Sequence, residues 1–503
     1  MKNILLFGAG KSATVLIDCL LDKSLPNDWM LTVADTDKTL LEEKTKHHKR
    51  AITEVLDISN EAKRKSLIEA SDLVISMMPP ALHILIAMDC IEKGKHLLTA
   101  SYADENIRSL NEAAKEKNIL ILCEMGLDPG IDHMSAMKLL EDIKRKGGVI
   151  HSFKSHCGGL VAPESDDNPW HYKISWNPRN VVMAGKAGAK FKENGQEKET
   201  VYEHLFDTSQ LVDTGIEEIG MLGYYPNRDS LSYIDLYGLH EADTFIRTTL
   251  RHPDFMYGWR NIVELNLTDE NKNVASNGLT FHEFFKAHLE KNGFGEWLQQ
   301  KLNESFTQTK SLLENLMKLM EAEEEAAETG EEIPENFMMV DETGDLKNIE
   351  LEDIKTNAAS TVALKMHEAN LTLKQLFFLG MDDKETRVDI GTCSPADVLQ
   401  LALETKLALK PDDKDMIIML HEIDYSIEGQ NKYVRSSLVV KGENSHHTAM
   451  AKTVGLPLAI AAELILNNQL QLSGVHIPVL PEIYEPILAR LQELGIQFRD
   501  FKK

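Results

Sequence analysis

A glycine-rich turn stands near the start of the chain, in the sequence Gly8-Ala9-Gly10-Lys11-Ser12-Ala13. It follows the apolar run Asn3–Phe7, which predicts a strand, and it opens a helical pattern. The first glycine permits a tight turn, the second lets the backbone approach a pyrophosphate, and the small Ala13 allows close helix–strand packing. The N–H groups at the start of that helix would hold the phosphates. The turn therefore predicts a dinucleotide coenzyme, the alternative being a glycine turn without a ligand.

Asp35 closes the second predicted strand, Met30–Ala34. A carboxylate at this point accepts hydrogen bonds from ribose hydroxyls and repels a 2′-phosphate. Lys38 is the nearest cation in the sequence, and Asp37 adds a second negative charge. We therefore expect NAD to be preferred over NADP. The alternative is that Asp35 only caps a turn, since Asp is common after strands.

The elements around these residues alternate between short apolar runs and amphipathic helical patterns. Four further strands are predicted at Ile52–Val55, Leu73–Ser76, His96–Thr99 and Ile119–Cys123. Such alternation indicates βαβ units, and hence an α/β fold with a doubly wound, Rossmann-type parallel sheet. A ligand is expected in the crevice at the carboxyl ends of its strands.

A second α/β domain and a helical insert are predicted after Asp128-Pro129-Gly130. Strand candidates of the second domain are Val149–Ser155, Tyr233–Leu236, Met416–Leu420 and Ser437–Val440, and Thr448–Leu466 is a predicted helix. Two helical stripes indicate the insert. They consist of Phe281, Phe285 and Leu289, and of Leu302, Phe306, Leu313, Leu316 and Met320.

These patterns define three predicted domains. Residues 1–130 plus 449–503 form the dinucleotide-binding domain, residues 131–267 plus 390–448 form the substrate-binding domain, and residues 268–389 form the helical insert. The insert contains an acidic segment, Glu321 to Asp353, with fourteen acidic residues and one Lys. Because it has little to bury, we expect a mobile loop there that is dispensable for chemistry.

Composition narrows the classes of partner. The 503 residues carry a net charge of −26, which argues against nucleic acid or an anionic membrane. No uninterrupted apolar run approaches the roughly 18–20 residues of a membrane span, and the apolar start is too short for a secretory signal. The five cysteines are far apart and contain no CxxC pair, so neither disulfides nor zinc are expected, and a reducing cytoplasm fits.

Six longer motifs carry a family resemblance. They are Ala100-Ser101-Tyr102, Gly126-Leu127-Asp128-Pro129-Gly130-Ile131-Asp132-His133, Cys157-Gly158-Gly159-Leu160, Asp167-Asn168-Pro169, Tyr225-Pro226-Asn227-Arg228-Asp229-Ser230 and Ala449-Met450-Ala451-Lys452-Thr453-Val454-Gly455. In order and spacing they resemble glutamate-forming saccharopine dehydrogenase, also called saccharopine reductase. The resemblance covers about 1–260 and 380–503, and it implies NAD(P)-dependent, reversible oxidation of saccharopine to L-glutamate and 2-aminoadipate 6-semialdehyde in lysine metabolism.

The resemblance also implies coenzyme contacts beyond the glycine turn. They fall on Asp35, Thr36, Asp57, Ile58, Met78, Ala100, Ser101, Leu127, Asp128, Pro129 and Ser175. Biosynthetic members that use NADP carry Arg after the second strand, where this chain has Asp35. On that basis the chain looks closest to the NAD-using catabolic branch.

Saccharopine bears three carboxylates and a secondary amine, so its site needs guanidinium groups and proton carriers. The resemblance places Ser101, Tyr102, Asp128, Arg228, Thr249, Leu250 and Arg251 on the substrate. Arg228 and Arg251 are the expected carboxylate clamps, the alternative being surface arginines.

Asp128, Tyr102 and Cys157 are the catalytic candidates. Asp128 follows the last strand of the predicted sheet and could orient the secondary amine or take its proton, or it could cap the next helix. Tyr102 could hydrogen-bond the substrate or pack as an aromatic. Cys157 could approach the reacting carbon or be a buried, inert thiol.

The histidines give no clear site. His133 could serve catalysis or hydrogen bonding at a helix start. The pairs His47-His48 and His446-His447 lack companions at metal-ligand spacing, so no metal is predicted.

Two other functions stay open at this stage. A carboxy(nor)spermidine-type reductive condensation enzyme would bind an amine-rich substrate, for which acids rather than Arg228 and Arg251 would be suitable. A non-catalytic NAD(P)-sensing regulator would keep the glycine turn but would not need a polar cleft. A small-molecule substrate is expected, and a homodimer is compatible with the sequence, which does not decide the oligomeric state.

Overall fold

The structure is a computed structural model that describes residues 1–207, 210–304, 306–307, 310, 314, 317–318, 336–340 and 346–502. Its strands are β1 (Lys2–Phe7), β2 (Trp29–Asp35), β3 (Ala51–Val55), β4 (Leu73–Ser76), β5 (His96–Thr99), β6 (Leu120–Leu122), β7 (Val149–Val161), β8 (Ala189–Glu193), β9 (Gln196–Thr200), β10 (Leu211–Asp213), β11 (Met221–Pro226), β12 (Arg228–Asp229), β13 (Thr244–Arg251), β14 (Val274–Ala275), β15 (Asn336–Val340), β16 (Leu346–Glu350), β17 (Thr392–Cys393), β18 (Asp415–Ile427), β19 (Gln430–Lys441), β20 (Gly474–His476) and β21 (Arg499–Lys502).

The α-helices are named in the same way. They are α1 (Thr14–Ser24), α2 (Lys38–Thr45), α3 (Glu61–Glu69), α4 (His83–Lys93), α5 (Glu105–Ser109), α6 (Asn111–Glu116), α7 (Ile131–Arg145), α8 (Pro178–Val182), α9 (Ile234–Tyr237), α10 (Pro253–Glu264), α11 (Phe281–Lys291), α12 (Leu351–Phe378), α13 (Pro395–Lys406), α14 (Ala449–Leu466) and α15 (Pro481–Glu493). Residues 294–304 are also helical.

The chain divides into two compact units. One comprises residues 1–167, 171–253 and 407–503, and the other comprises residues 168–170 and 254–406. The three-domain boundaries given above stay a prediction.

The first sheet of the larger unit is parallel throughout, in the order β20-β6-β5-β4-β1-β2-β3. Strands β2 and β3 are added on one side of β1 and strands β4, β5 and β6 on the other, which makes this a doubly wound sheet with its switch point between β1 and β4, beside the glycine turn. All four residues of β4 are buried, as expected for a strand covered on both faces. The predicted α/β class and all six predicted strands of this sheet are confirmed.

The second sheet of this unit is mixed. Its main order is β10-β11-β13-β7-β18-β19-β21, with β8, β9 and β12 branching from it. The central strand β7 pairs in parallel with β13 and antiparallel with β18. The residues that follow β6 and those on β7 and β13 are therefore held within one unit.

One strand prediction for this region is wrong. Residues Tyr233–Leu236 are not a strand, because Leu231–Tyr233 is a 3-10 turn that continues into α9. Gly238 ends α9 in the left-handed conformation, with φ of 60°. A glycine in this position is a helix stop signal, and Tyr233 and Tyr237 are spaced for one helical face.

Helix α14 packs its Gly455 against the backbone of Leu16 on α1. It is one helix that is long and apolar enough to cross a membrane, and 78% of it is buried within the protein. Both helices thereby cover the first sheet close to the glycine turn.

The smaller unit has its own aromatic core. Phe255 and Trp259, one turn apart on α10, stack at 5.2 Å, and Trp170 meets both edge-on. The predicted stripe of Phe281, Phe285 and Leu289 lies on α11 and is buried.

Much of the predicted acidic loop lies outside the described residues, as do Leu313, Leu316 and Met320 of the second stripe. Within the described part, β15 and β16 pair antiparallel, which the sequence analysis did not predict. The mobility of segment Glu321 to Asp353 stays a prediction.

Candidate active site

The glycine turn has the shape that a dinucleotide phosphate requires. Gly8 has φ of +95° and donates its N–H to the Ala34 carbonyl at 2.9 Å, and a 3-10 turn over Lys11–Ala13 leads into α1. A Cβ placed on Gly10 would meet nothing within 4 Å, so the backbone is open to a ligand there, whereas Ala13 is buried. The residues therefore fit a bound coenzyme pyrophosphate.

Asp35 holds this turn in place. Its Oδ2 accepts a hydrogen bond from the Ala9 N–H at 2.8 Å, and its Oδ1 accepts one from the Asp37 N–H at 3.1 Å. The Thr36 hydroxyl donates to Oδ1 at 3.4 Å. Both carboxylate oxygens are thus used by backbone donors, and Asp35 ties the end of β2 to the glycine turn.

A cleft of about 650 Å³ lies in the larger unit. Among the residues that the structure describes, four that line the cleft are cationic and one is acidic. They are Arg108, Lys190, Arg228, Arg247 and Asp229. Tyr102 and Tyr233 also line it. Such a cleft favours a ligand with several negative charges.

Arg228 stands at the exposed side of this cleft. It begins β12, which pairs with Ala189 and Lys190 of β8. Its backbone is left-handed, with φ of 52°, a conformation that costs a residue of this kind about 1 kcal/mol or more. Its Cζ lies 5.1 Å from the centre of the Tyr102 ring. The predicted residues Arg228 and Tyr102 are therefore neighbours.

Asp128 lies behind Tyr102, in the loop between β6 and α7. The Tyr102 hydroxyl donates to Asp128 Oδ1 at 3.3 Å, and the Asn227 amide donates to Oδ2 at 3.4 Å. Arg247 Nη2 donates to Oδ1 at 2.6 Å. Burial raises the pKa of Asp128 above its ordinary value. Burial and the Asp128 charge also raise the pKa of Tyr102, which therefore stays protonated.

Arg247 was missed by the sequence analysis. It lies inside β13 with 2% of its side chain exposed, and its Nη2 also donates to Asp132 Oδ2 at 2.6 Å. A signal was present, since a cation within the apolar run Phe245-Ile246-Arg247-Thr248 must find a buried partner if that run is a strand.

A second polar group lies deeper, around His133. Its Nδ1 is 2.6 Å from the Tyr237 hydroxyl, and its Nε2 is 2.8 Å from Glu124 Oε2 without the angle of a hydrogen bond. The Tyr233 hydroxyl donates to the same Glu124 oxygen at 3.1 Å. His133 is fully buried, so it connects α7 to α9 and does not face the cleft.

Cys157 is a buried thiol on β7. It is in register with Thr249 of β13 on one side and Met419 of β18 on the other. Burial and then the charges of Asp128 and Asp132 raise its pKa well above the ordinary value. This thiol is therefore protonated and unsuited to act as a thiolate nucleophile.

Two other predicted substrate residues lie further along β13. Leu250 is fully buried in an apolar cluster with Leu160 and Met416. Arg251 is 5% exposed; its Nη1 donates to the Leu250 carbonyl at 2.8 Å, and its Cζ is 5.4 Å from the Tyr172 ring. Neither residue lines the cleft that contains Arg228. Their roles stay predictions.

The remaining predicted coenzyme residues are spread along the larger unit. The Ser101 hydroxyl is 2.7 Å from His83 Nε2, and burial lowers the pKa of His83 to about 4. Asp57 is exposed and accepts a hydrogen bond from the Ser59 N–H. Ser175 is buried against Asp415, and the Asp415 carboxylate accepts hydrogen bonds from the first N–H groups of α14. Met78 and Ala100 are half-buried, and Ile58, Leu127 and Pro129 are buried. These contacts also stay predictions.

Comparison with known proteins gives the family. Residues 4–122 match the model of the saccharopine dehydrogenase NADP binding domain, and residues 126–496 match that of the saccharopine dehydrogenase C-terminal domain. A Schizosaccharomyces pombe protein named saccharopine dehydrogenase [NADP(+), L-glutamate-forming] is 28% identical over 505 residues, which is 99% of each chain. The structure of apo saccharopine dehydrogenase (L-Glu forming) from Saccharomyces cerevisiae superposes with a TM-score of 0.76 at 26% identity and covers 100% of both chains.

Longer relatives match as well. The alpha-aminoadipic semialdehyde synthase of Arabidopsis thaliana is 33% identical over 88% of this chain and 38% of its own. The mitochondrial mouse protein of that name is 30% identical over 99% of this chain and 47% of its own. The chain thus spans less than half the length of these relatives.

The predicted preference for NAD is wrong. The matched family model is an NADP binding domain, and three full-length relatives carry NADP(+) in their names. The physical reason lies in Asp35, which the sequence analysis read as a free ribose acceptor. Its two oxygens accept hydrogen bonds from the N–H groups of Ala9 and Asp37, so its negative charge is stabilised inside the turn. Lys38, at the start of α2, is 74% exposed and lies 3.6 Å from Glu42 Oε1. The predicted resemblance itself is confirmed, and the chain belongs to the saccharopine dehydrogenase family.

Proposed function

We propose that this chain catalyses the reversible, NADP-dependent oxidation of saccharopine. Saccharopine, NADP+ and water would give L-glutamate, 2-aminoadipate 6-semialdehyde, NADPH and a proton. The observation that carries the proposal is the cleft with its four cationic side chains, next to the pair of Tyr102 and Asp128. This combination suits a substrate with three carboxylates and one reacting amine.

The carboxylates would be bound at the exposed cationic side chains of the cleft, and not at the buried Arg247. Arg108 and Lys190 are about half exposed, at 47% and 52%, and Arg228 is exposed beside them. A guanidinium binds a carboxylate through two parallel hydrogen bonds, which fixes the orientation of the substrate. A polyamine substrate would require the opposite charge here, and Asp229 is the single acid among the described residues that line the cleft.

The coenzyme would be held by the glycine turn Gly8–Ala13. Its 2′-phosphate would lie beyond Asp35, near the Thr36 hydroxyl and the Lys38 ammonium. The bound coenzyme would supply the hydride acceptor for the carbon attached to the secondary nitrogen.

Asp128 would accept and donate the protons that the reaction transfers. Saccharopine carries its secondary amine as an ammonium in solution, and Asp128 would take that proton so that the nitrogen lone pair becomes available. After hydride transfer leaves a protonated imine, Asp128 would release this first proton to solvent, take a proton from the attacking water and pass it to the departing glutamate nitrogen. Burial raises the pKa of the Asp128 carboxyl group, so it holds a proton more readily than an ordinary aspartate and is suited to accept and return protons.

A steady-state assay of the full chain tests the proposal. Saccharopine is supplied with NADP+ or NAD+, the absorbance of the reduced coenzyme is followed, and the products are identified by mass spectrometry. We expect glutamate and the semialdehyde, with higher kcat/KM for NADP+. Production of lysine and 2-oxoglutarate, or no reduction of either coenzyme, would refute the proposal. The second result is also what a coenzyme-sensing regulator without activity would give.

A further inference from the structure

Arg247 is a buried cation to which the proposed reaction assigns no role. Its Nη2 donates to Asp128 and to Asp132 at 2.6 Å each. Its Cζ is 4.7 Å from the Tyr233 ring and 5.9 Å from the Tyr102 ring. Among the described residues, its Nε and Nη1 have no hydrogen-bond acceptor. The guanidinium is therefore held by two carboxylates and two aromatic rings.

The two carboxylates that share Arg247 are not equivalent. Asp132 is 1% exposed, its Oδ1 accepts the Gly130 N–H at 2.6 Å, and its Oδ2 is 3.8 Å from His133 Nδ1. Asp128 is 11% exposed, and apart from Arg247 its donors stand at 3.3 and 3.4 Å. Shorter donor distances and a neighbouring imidazole stabilise a charged carboxylate, so Asp132 is the better anion.

The electrostatics of the pair agree with this geometry. Burial raises the pKa of Asp128. Burial alone would also raise the pKa of Asp132, but His133, Arg247 and the Gly130 N–H together hold it below its ordinary value. Two neighbouring carboxylates with separated proton affinities are typical of sites that assign one group to proton transfer.

We propose that Arg247 is a positioning residue that makes Asp128, and not Asp132, the carboxyl group that exchanges protons in the cleft. Asp132 stays ionised and compensates the charge of Arg247 in either protonation state of Asp128. Asp128 therefore gains or loses a proton without leaving a buried cation unpaired, which is the costly alternative. In the step concerned, the N–H bond of the substrate ammonium breaks and an O–H bond forms on Asp128. This assignment rests on the proposed function.

Asp128 is surrounded by charged or titratable groups from four elements. Arg247 comes from β13, Asp132 and His133 from α7, Tyr102 from the loop after β5, and Cys157 from β7. The pKa values of Tyr102 and Cys157 are raised, so both are neutral over the range in which Asp128 titrates. Arg247 bonds directly to both Asp128 and Asp132, so Asp132 and Arg247 are the groups to vary, and His133 is kept unchanged in every variant.

The test is the pH dependence of kcat/KM for saccharopine in single variants. Asp132→Asn removes a negative charge beside Asp128 and should move the acidic limb of the profile down by about one pH unit. Arg247→Met removes the positive charge and should move it up by about one unit, with a lower kcat and a KM for saccharopine changed less than about threefold. Asp128→Asn should abolish the limb.

A second variant covers the case in which Arg247→Met does not fold. The double variant Arg247→Met with Asp132→Asn removes one charge of each sign, and NADPH affinity and the unfolding temperature check its integrity. We expect its limb to lie between those of Asp132→Asn and Arg247→Met. A rise in KM with an unmoved limb would instead make Arg247 a substrate clamp and would overturn the proposal. The proposal would also be overturned if the acidic limbs of Asp132→Asn and Arg247→Met moved in the same direction.

The wild-type assay separates the two proposals. A wild type that does not oxidise saccharopine refutes the proposed function. An active wild type whose variants keep the wild-type limb refutes only the role of Arg247.

Discussion

The Arg228 guanidinium lies over the Tyr102 ring in the cleft, with its carbon Cζ 5.1 Å from the ring centre. A cation held over an aromatic face keeps its N–H groups at the edge of the guanidinium plane available. The Tyr102 hydroxyl meanwhile points to Asp128. The same tyrosine thereby links the proposed carboxylate-binding group, Arg228, to the proposed proton carrier, Asp128.

The first prediction concerns Arg228. Arg228→Ala should lower kcat/KM for saccharopine by roughly ten- to 150-fold, since a hydrogen bond to a charged group contributes about 1.5–3 kcal/mol. NADPH affinity, measured by fluorescence titration, should not change. Because Arg228 has φ of 52°, Arg228→Asn tests whether the backbone is responsible, as Asn tolerates this conformation. Recovery of activity in the Asn variant would contradict a role of the guanidinium. Arg145→Ala, on the exposed side of α7, is the control.

The second prediction separates the hydrogen bond that Asp35 accepts from the Ala9 N–H from the effect of its negative charge. Asp35→Ala removes the acceptor for the Ala9 N–H and should cost about 1–3 kcal/mol of unfolding free energy, with weaker NADPH binding. Asp35→Asn keeps one carbonyl oxygen for that N–H and removes the charge, so it should bind NADPH at least as tightly as the wild type. Chemical denaturation and fluorescence titration measure both effects. Equal NADPH affinity in the Ala variant would show that Asp35 does not support the turn.

The third prediction concerns Lys38. Lys38→Ala should weaken NADPH binding about fivefold, which corresponds to about 1 kcal/mol for an exposed charge contact. NADH affinity should stay the same, because NADH lacks the 2′-phosphate. Lys46→Ala, at the other end of α2 and paired with Asp18, is the matched control and should affect neither coenzyme. A parallel loss of NADH and NADPH affinity in Lys38→Ala would exclude a specific phosphate contact.

Sequence reasoning predicted the parallel sheet because its signal is local. Each buried strand reads as an apolar run, and Gly8 and Gly10 stand where the backbone must turn or stay open. The partners of Asp35 could not be predicted, because its link to Ala9 joins residues 26 positions apart. A carboxylate after a strand looks the same in sequence whether it faces a ribose or a backbone N–H.

The role of Arg247 could not be predicted from the sequence for a different reason. Its partner carboxylates lie 119 and 115 residues away in the sequence, so no periodic pattern connects them. Cys157 and Thr249 likewise meet only through the register of β7 and β13. The motifs indicated Asp128, Tyr102 and Arg228 as site residues. Arg247, which bonds to both Asp128 and Asp132, lies in an apolar strand outside those motifs.

The fourth prediction concerns Cys157. Its thiol is buried and its pKa is raised, so Cys157→Ala should keep kcat within roughly tenfold of the wild type. Alkylation by iodoacetamide should be slow at Cys157 and faster at Cys19, which is half-buried. Peptide mass spectrometry gives both rates. A loss of activity beyond a thousandfold in Cys157→Ala, with normal NADPH affinity, would make the thiol part of the chemistry.

The last prediction concerns Gly455→Ala, for which helix propensity and packing change the free energy of unfolding in opposite directions. Gly→Ala inside a helix normally stabilises by about 1 kcal/mol. A Cβ on Gly455, however, would lie 2.7 Å from the backbone N of Leu16 and 3.2 Å from its Cα, and backbone atoms cannot yield as a flexible side chain does. Gly455→Ala should therefore push α14 away from α1 and lower the free energy of unfolding by about 1–3 kcal/mol. Because α1 carries the glycine turn at its start, NADPH affinity should fall as well.

Gly295 provides the control, since a Cβ there would meet nothing within 4 Å and the residue lies in the helical stretch 294–304. Gly295→Ala should leave stability unchanged or raise it, with wild-type NADPH affinity. Denaturant unfolding of both variants, each with and without NADPH, measures the difference. If Gly455→Ala were as stable as Gly295→Ala and bound NADPH normally, the close approach of α14 to α1 would not be needed to hold the coenzyme turn.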